Sequence, residues 1–584
     1  MAAQFGDGLN QATASLSLAG MLDARFTAMT PTGVSVFACA AGTGGSKTDC
    51  IMLPASFRSQ GSADPAAKSP APGHYSKMTS IVVVGAGING LVAAHYLRWA
   101  GHQVTVLERA DRAGGACISS TATIGGRTQA YALGASVLGL MPDFIFRETG
   151  LSDRLETFVP TSAKRVYFPT PAASAWIHRD PAELDLELRT QWGERGDAAG
   201  FRADEARVVA YLQHGYRTAT PPNVDTARHT LGDTLTRLWI TGSAVDLLDH
   251  YFTADRTKIY MGMTVTESGP VSLAEPYSAF TLPLMDSGSV FDGYYGFVKP
   301  GLWRLLEVLA DINREIGVDI QLGAAVDQVD PDRGVVHYTA AAQSHRLAFD
   351  HLILATEPLA AARLVGDTAT TARVERKRFL GSAGKLTMMF RNPVRWKDAP
   401  EADADAAFRF IFSMETLAEF ERATLRVTSG EVDYEPGYLQ IYCEGAAMRR
   451  LGLVEPFDRL TLYFKNLALN QRGEALPEVE ATVKAQVLAH IANPEDCVWS
   501  RLLAPKDLQE LFLFPGGNID HTELAPGQTF FDRQFAADPG TSFYQFGRWP
   551  NLSYCGAGSY PCGSIAGTPG YMCAKQLIKE RCHD

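Results

Sequence analysis

The nine cysteines of this chain, at positions 39, 50, 117, 443, 497, 555, 562, 573 and 582, never fall into a C-x-x-C spacing. An odd, scattered set supports neither a zinc site, nor a dithiol redox pair, nor a disulfide framework. No metal is expected, and a reducing cytosol is the simplest setting. An excess of positive charge is lacking too. The formal net charge of −11 argues against nucleic acid as a partner, because phosphate binding needs a basic surface. It also gives no help toward anionic lipid headgroups beyond a local patch. Long apolar runs are missing: nothing reaches the ~18 uninterrupted apolar residues that a membrane-spanning helix requires. The nearest, Ile81 to Leu97, has a better explanation below.

What remains is ordinary for a soluble enzyme: 584 residues with 46% hydrophobic and 20% charged side chains, enough for two interleaved domains. Residues 1–77 are rich in Ala, Ser, Thr, Gly and Pro without periodicity, and end in the linker-like SQGSADPAAKSPAPGHYSK. They lack the charged start and apolar core of a secretory signal. The expectation is a disordered extension or an upstream start, with an organelle-targeting segment as the alternative.

The chemistry is concentrated in IVVVGAGINGLVAAHYLRWAGHQVTVLERADRAGG, Ile81 to Gly115. Ile81 to Val84 reads as a buried parallel strand, Leu91 to Ala100 as a helix ended by Gly101, and Val104 to Leu107 as a second strand. Between them Gly85, Gly87 and Gly90 form G-x-G-x-x-G, with Ile88 and Asn89 inside it. Gly85 permits the tight turn, Gly87 lets a pyrophosphate touch the backbone, and Gly90 lets helix and strand pack closely. The helix N-terminus then faces the phosphate. Glu108, eighteen positions after Gly90, is placed to accept ribose hydroxyls. A lone glycine triplet is weak; two strands, the spacing and the acid together predict dinucleotide binding.

The continuation after Glu108, with Arg109, Arg112 and the pair Gly114-Gly115, resembles flavoproteins of the amine oxidase and phytoene desaturase superfamily. The resemblance implies FAD, with the glycine pair along its pyrophosphate. It extends from about Met78 to Gln576. Gly134 stands where a family glycine passes the cofactor, although a plain turn explains it as well. Lys299-Pro300-Gly301 opens a helix, and Val326 takes the place of a valine whose backbone holds the adenine edge. Asp350 to Pro358 resembles the strand returning to the substrate domain. Near the C-terminus, NLSYCGAGSYPCGSIAGTPGYMCAKQLI resembles the family's closing segment. There Gly556, Gly563, Ile565 and Ala566 would lie along the ribityl chain and ring, with a helix starting near Ile565 whose uncapped N–H groups face the flavin. Cys562 replaces a glycine of the family's P-G-G-G, and is either a thiol close enough to react with flavin or substrate or a small side chain filling the glycine's space.

Two side chains are candidate catalytic groups. Gly381 to Phe390, GSAGKLTMMF, alternates as a strand and does not fit G-x-x-x-x-G-K-[ST]. Its Lys385 either approaches substrate and flavin or is a surface lysine at a strand start. His521 lies in Gly516-Gly517-Asn518-Ile519-Asp520-His521, which resembles a G-G-x-I-x-H passage of the phytoene dehydrogenase-related branch. It is a candidate acid or base because imidazole titrates near neutrality, or else a backbone-bonded loop histidine.

The fold expectation is α/β: a Rossmann-type FAD-binding domain of the glutathione reductase/amine oxidase type, built from 78–150, 295–365 and 545–584. Interleaved with it is an α+β substrate and cap domain, 151–294 and 366–544, on a mixed or antiparallel sheet. The function expected is an FAD-dependent dehydrogenase or desaturase acting on a C–H bond of an apolar or conjugated small molecule, reoxidised by oxygen, a quinone or another acceptor. The alternatives are an amine or amino-acid oxidase, a redox-neutral isomerase or cyclase, and a non-catalytic flavin-binding protein. Peripheral membrane contact stays open.

Overall fold

The computed structural model describes residues 78–398, 404–429, 436–467, 470, 473–540 and 542–581; the N-terminal extension lies outside them. The first sheet is built from β1 (Ser80–Val84), β2 (Gln103–Glu108), β3 (Asp319–Leu322), β4 (His351–Leu354) and β5 (Leu552–Tyr554). Their spatial order is β5-β4-β1-β2-β3, all parallel. The central strands read as unbroken β-branched and leucine runs because helices and a second layer bury both faces. The helix α1 (Ile88–Trp99) crosses between β1 and β2, and α3 (Thr568–Arg581) packs along it. The approach of α3 needs Gly570: a Cβ there would stand 2.1 Å from the Asn89 carbonyl oxygen. Three antiparallel strands, Ala324–Asp330, Val335–Ala340 and Gln343–Ala348, cover the sheet's rim.

The second sheet has seven strands, in the order Cys497–Leu503, Gly384–Phe390, Asp458–Lys465, Tyr438–Tyr442, Arg409–Phe412, Lys164–Tyr167 and Ala175–Ile177. All neighbours are antiparallel except Arg409–Phe412 with Lys164–Tyr167. Helices between 181 and 285 lie over it, the longest being α2 (Ala198–Thr218).

Several boundaries differ from the sequence reading. In the helical region over the second sheet, the chain between the helices Val224–Leu231 and Ala244–Tyr251 is interrupted at Gly232, whose φ is 85°, and at Gly242, where a Cβ would meet the Arg237 carbonyl oxygen at 2.4 Å. The expected strand Asp350 to Pro358 ends at Leu354, because Glu357 caps a new helix, Pro358–Val365, accepting the N–H of Leu359 at 2.7 Å and that of Ala360 at 2.5 Å. The strand expected from Gly381 begins at Gly384. Among the described residues no helix is long and apolar enough to cross a membrane.

Candidate active site

One cavity of about 660 Å³ runs from the C-terminal ends of β1 and β2 to the inner face of the seven-stranded sheet. At its first end β1 delivers Gly85 and Gly87, and α1 starts with Gly87 as its N-cap. No side chain caps this helix and no acidic residue occupies its first turn, so its leading N–H groups and positive dipole end are available to an anion. Gly90 is required by the protein itself, since a Cβ there would sit 2.0 Å from the Gly85 carbonyl oxygen. Gly87 is different. Its φ is −77°, and the nearest protein atom to an added Cβ is Gly115 Cα at 3.9 Å. Neither backbone conformation nor packing demands glycine here; the space is kept for something that is not protein. Gly114 and Gly115 face it with φ of 144° and 56°.

Glu108 Oε2 accepts the Ala86 N–H at 2.7 Å and Oε1 the Ala110 N–H at 2.9 Å. Each oxygen keeps a second lone pair, so the carboxylate is fixed in place and still able to accept ribose hydroxyls. Arg109, Arg112, Ile88, Asn89 and Val326 also line this end. So do Thr356, Glu357 and Arg363, which the sequence reading missed; the one local signal was the Glu-Pro start of the helix Pro358–Val365. The donors and the open glycine cradle fit an FAD adenosine diphosphate.

Farther in, Gly134, Gly563, Ser564 and Ile565 reach the cavity. Gly556 and Ala566 do not: Gly556 packs beneath, where a Cβ would meet the Thr356 carbonyl oxygen at 2.2 Å, and Ala566 is buried. The last helix begins at Thr568 rather than near Ile565, because Ser564, Ile565 and Gly567 adopt φ of 52°, 61° and 68°, which no helix continues through. The N–H groups there are not all free either. Asp520, fully buried, accepts the Gly563 N–H at 3.0 Å. Arg533, also buried, donates from Nη2 to the carbonyls of Asp520 and Ala557, both at 2.9 Å. Burial raises the Asp520 carboxyl above its usual range, against the pull of Arg533. Sequence reading missed this Asp520–Arg533 support, whose partners lie far apart in the chain.

Both catalytic candidates reach the cavity, with changed properties. Lys385 is not a surface lysine: it is 1% exposed, and its Nζ donates to the carbonyls of Ala132 and Gly134. Tyr463 donates to the same Gly134 oxygen at 2.5 Å. Burial brings the Lys385 ammonium down to about 7. His521 does not titrate near neutrality: burial, then the Arg533 charge, hold it down to about 3. It is a neutral imidazole whose Nδ1 has no hydrogen-bond partner among the described residues, beside the Phe514 ring at 5.4 Å. At neutral pH it cannot serve as an acid. Cys562 is buried, and burial raises its thiol far above the usual value, so it fills space as a thiol.

The family profile for flavin containing amine oxidoreductases matches residues 88–436. The chain belongs to that family. It is an FAD-dependent oxidoreductase. Among relatives, an uncharacterized protein of Mycobacterium tuberculosis is 25% identical over 485 residues, 76% of this chain and 87% of its own length. A phytoene dehydrogenase of Streptomyces griseus is 28% identical over 301 residues, 49% of this chain and 56% of the relative. A 4,4'-diapophytoene desaturase of Staphylococcus aureus is 24% identical over 263 residues, 43% and 49% of the two chains. In structure the chain is similar to cyclohexylamine oxidase from Brevibacterium oxydans, with TM-score 0.55 and 14% identity over 87% of this chain and 99% of the other. That likeness establishes the two-sheet flavoprotein fold.

Proposed function

We propose that this flavoprotein is a dehydrogenase or desaturase that removes a hydride from a C–H bond of a largely apolar small molecule. The single observation carrying the proposal is that the nucleotide cradle and an apolar-walled chamber are one continuous cavity, so a substrate there lies against the cofactor's reactive end. Bound FAD supplies the two-electron acceptor, to be reoxidised by oxygen, a quinone or another acceptor. The chain's own residues do the placing. Gly85, Gly87, Gly90, Glu108, Arg109, Arg112, Gly114, Gly115 and Val326 are assigned to the nucleotide, with Gly134, Gly563 and Ile565 farther in. We assign the nucleotide-binding domain to 78–150, 295–365 and 545–584, and the substrate domain to 151–294 and 366–544.

Catalysis then rests on positioning and exclusion of water. Lys385 and Tyr463 hold the Gly134 carbonyl, and Asp520 with Arg533 holds the Gly563 segment. His521 stays neutral and contributes shape. The names of the carotenoid-acting relatives support a conjugated or apolar substrate, and the six cysteines among the described residues, all free thiols and buried or half-buried, support a reducing compartment. The test is the absorbance spectrum of the purified protein, then anaerobic addition of polyenes, alcohols and amines. Oxidised-flavin bands that bleach with one class support the proposal; a colourless protein that cannot be reconstituted with FAD overturns it.

A further inference from the structure

Among the described residues, one polar ring on the cavity wall, that of His521, is left without a hydrogen-bond partner. The turn that carries it, 518–521, is tightly bonded. Asn518 Oδ1 accepts the Asp520 N–H at 2.9 Å, and the Asn518 carbonyl accepts the His521 N–H at 3.1 Å. Asn518 Nδ2 donates to the carbonyls of Ser268 and Leu380. His521 takes a left-handed conformation, with φ of 65°, so the bonded turn fixes the direction of its Cβ. On one side, Asp520 packs against the segment 563–565: a Cβ on Gly563 would stand 2.6 Å from Asp520 Oδ1. On the other side, the His521 ring meets Phe514 and Phe514 meets Phe512, both at 5.4 Å between ring centroids. Phe512 Cζ would in turn lie 3.1 Å from a Cβ at Gly134. His521 therefore stands between the two stretches assigned to the inner part of the cofactor.

The two ring nitrogens are not equivalent. Nδ1 is shut away from the cavity as well as unpartnered, which leaves Nε2 as the ring's polar contact with the cavity. The nearby Arg533 brings only N–H groups, already donated to the carbonyls of Asp520 and Ala557 and to Thr522 Oγ1 at 3.0 Å. Burial, and then the Arg533 charge, keep the ring neutral, so it carries one proton. On Nδ1 that proton would make a buried N–H with no acceptor, a rarer and costlier defect than a bare lone pair. The hydrogen-bond pattern therefore assigns the proton to Nε2. The protein thus presents an N–H donor to the cavity, with no acceptor bound to it among the described residues.

We propose that His521 donates its Nε2–H to an acceptor atom of the isoalloxazine ring of bound FAD and thereby favours the reduced form of the cofactor. This rests on the assignment of Gly134 and the segment 563–565 to the inner part of FAD. The reduced ring is richer in electrons and its acceptor atoms are more negative. A donor fixed in place therefore stabilises it more than the oxidised ring. His521 keeps its proton throughout; it tunes the cofactor and is neither acid nor base.

The test is an anaerobic titration of the full-length, FAD-loaded protein with dithionite against a reference dye. It gives the two-electron potential of the wild type and of His521→Leu, His521→Gln and His521→Asn. In His521→Leu the equilibrium constant for reduction should fall about tenfold, which lowers the potential by about 30 mV. The side-chain N–H of His521→Gln stands near the Nε2 position and should restore most of this loss. That of His521→Asn stands near Nδ1 and should not. Equal potentials in all four proteins at full flavin occupancy overturn the proposal. So does a loss that His521→Gln fails to restore, which would leave the ring a matter of shape alone. Restoration by His521→Asn would put the proton on Nδ1 and overturn it equally. Should the leucine and glutamine variants fail to fold, the wild type and His521→Asn decide, because asparagine tolerates the left-handed conformation; its potential must then be the lower by about 30 mV. A protein without flavin bands would instead overturn the oxidoreductase reading, whereas full flavin with unchanged potentials overturns only this assignment.

Discussion

At Gly87 the added methyl groups of a valine would meet an open space rather than protein atoms, the nearest being 3.9 Å from Cβ. Gly87→Val is therefore expected to fold, with an unchanged far-ultraviolet circular dichroism spectrum, and to purify without FAD. Flavin retained at full occupancy would show that the pyrophosphate lies elsewhere. Glu108→Ala should weaken FAD by about 1–3 kcal/mol, through lost hydrogen bonds to an ionised acceptor; an unchanged dissociation constant would remove Glu108 from the ribose site. Lys385 gives a pH signature. Below about pH 7 its ammonium is charged in both folded and unfolded chains; between about 7 and the ordinary lysine value of 10.5 only the unfolded chain holds the proton. Stability thus rises with pH across that window. In Lys385→Met the gain in unfolding free energy from pH 7 to pH 9 should be smaller by about 2 kcal/mol, measured by urea denaturation. Equal slopes would mean that the lysine titrates normally. At this scale the glycine spacing and Glu108 were legible because their partners are local. The burial of Lys385 was not, because strand alternation does not say which face a second domain covers.

Among elements, the contact that aligns the nucleotide-binding helix is the α1–α3 crossing at Gly570. Gly570→Val would force the two helices apart at the Asn89 carbonyl. It should destabilise the protein by about 1–3 kcal/mol, the range for overpacking, and loosen FAD in parallel because Asn89 belongs to the first turn of α1. Thermal melting with and without added FAD checks both. A lowered melting point with unchanged FAD affinity would separate the crossing from the site. The β-α-β unit was readable in sequence because its apolar runs and glycines alternate within about thirty residues. The start of α3 was misread by three positions, Ile565 against Thr568, because Ser564 and Ile565 take left-handed conformations that side-chain propensity disfavours. The support of Gly563 by Asp520, which reaches across 43 positions, has no local signature at all.

For the molecule as a whole, the cavity is walled by both sheets, so FAD binding should stabilise them together. Removing FAD is expected to lower the melting temperature, by the equivalent of about 2.7 kcal/mol at a free cofactor concentration one hundred times its dissociation constant. A melting point indifferent to FAD would contradict a cofactor that bridges the two layers. The parallel sheet also has a history written into its connectivity. Its central strand, β1, begins at Ser80, while its edge strand β5 ends at Tyr554 and pairs with β4 from the middle of the chain. During synthesis, then, the nucleotide-binding layer stays unfinished until Tyr554 has emerged, and the seven-stranded layer, whose last strand ends at Leu503, has every opportunity to assemble first. Such long-range closure is slow and leaves strand edges open meanwhile. Flavin or a chaperone supplied while the layer waits for β5 would shelter those edges, so the yield of active enzyme is expected to rise with either.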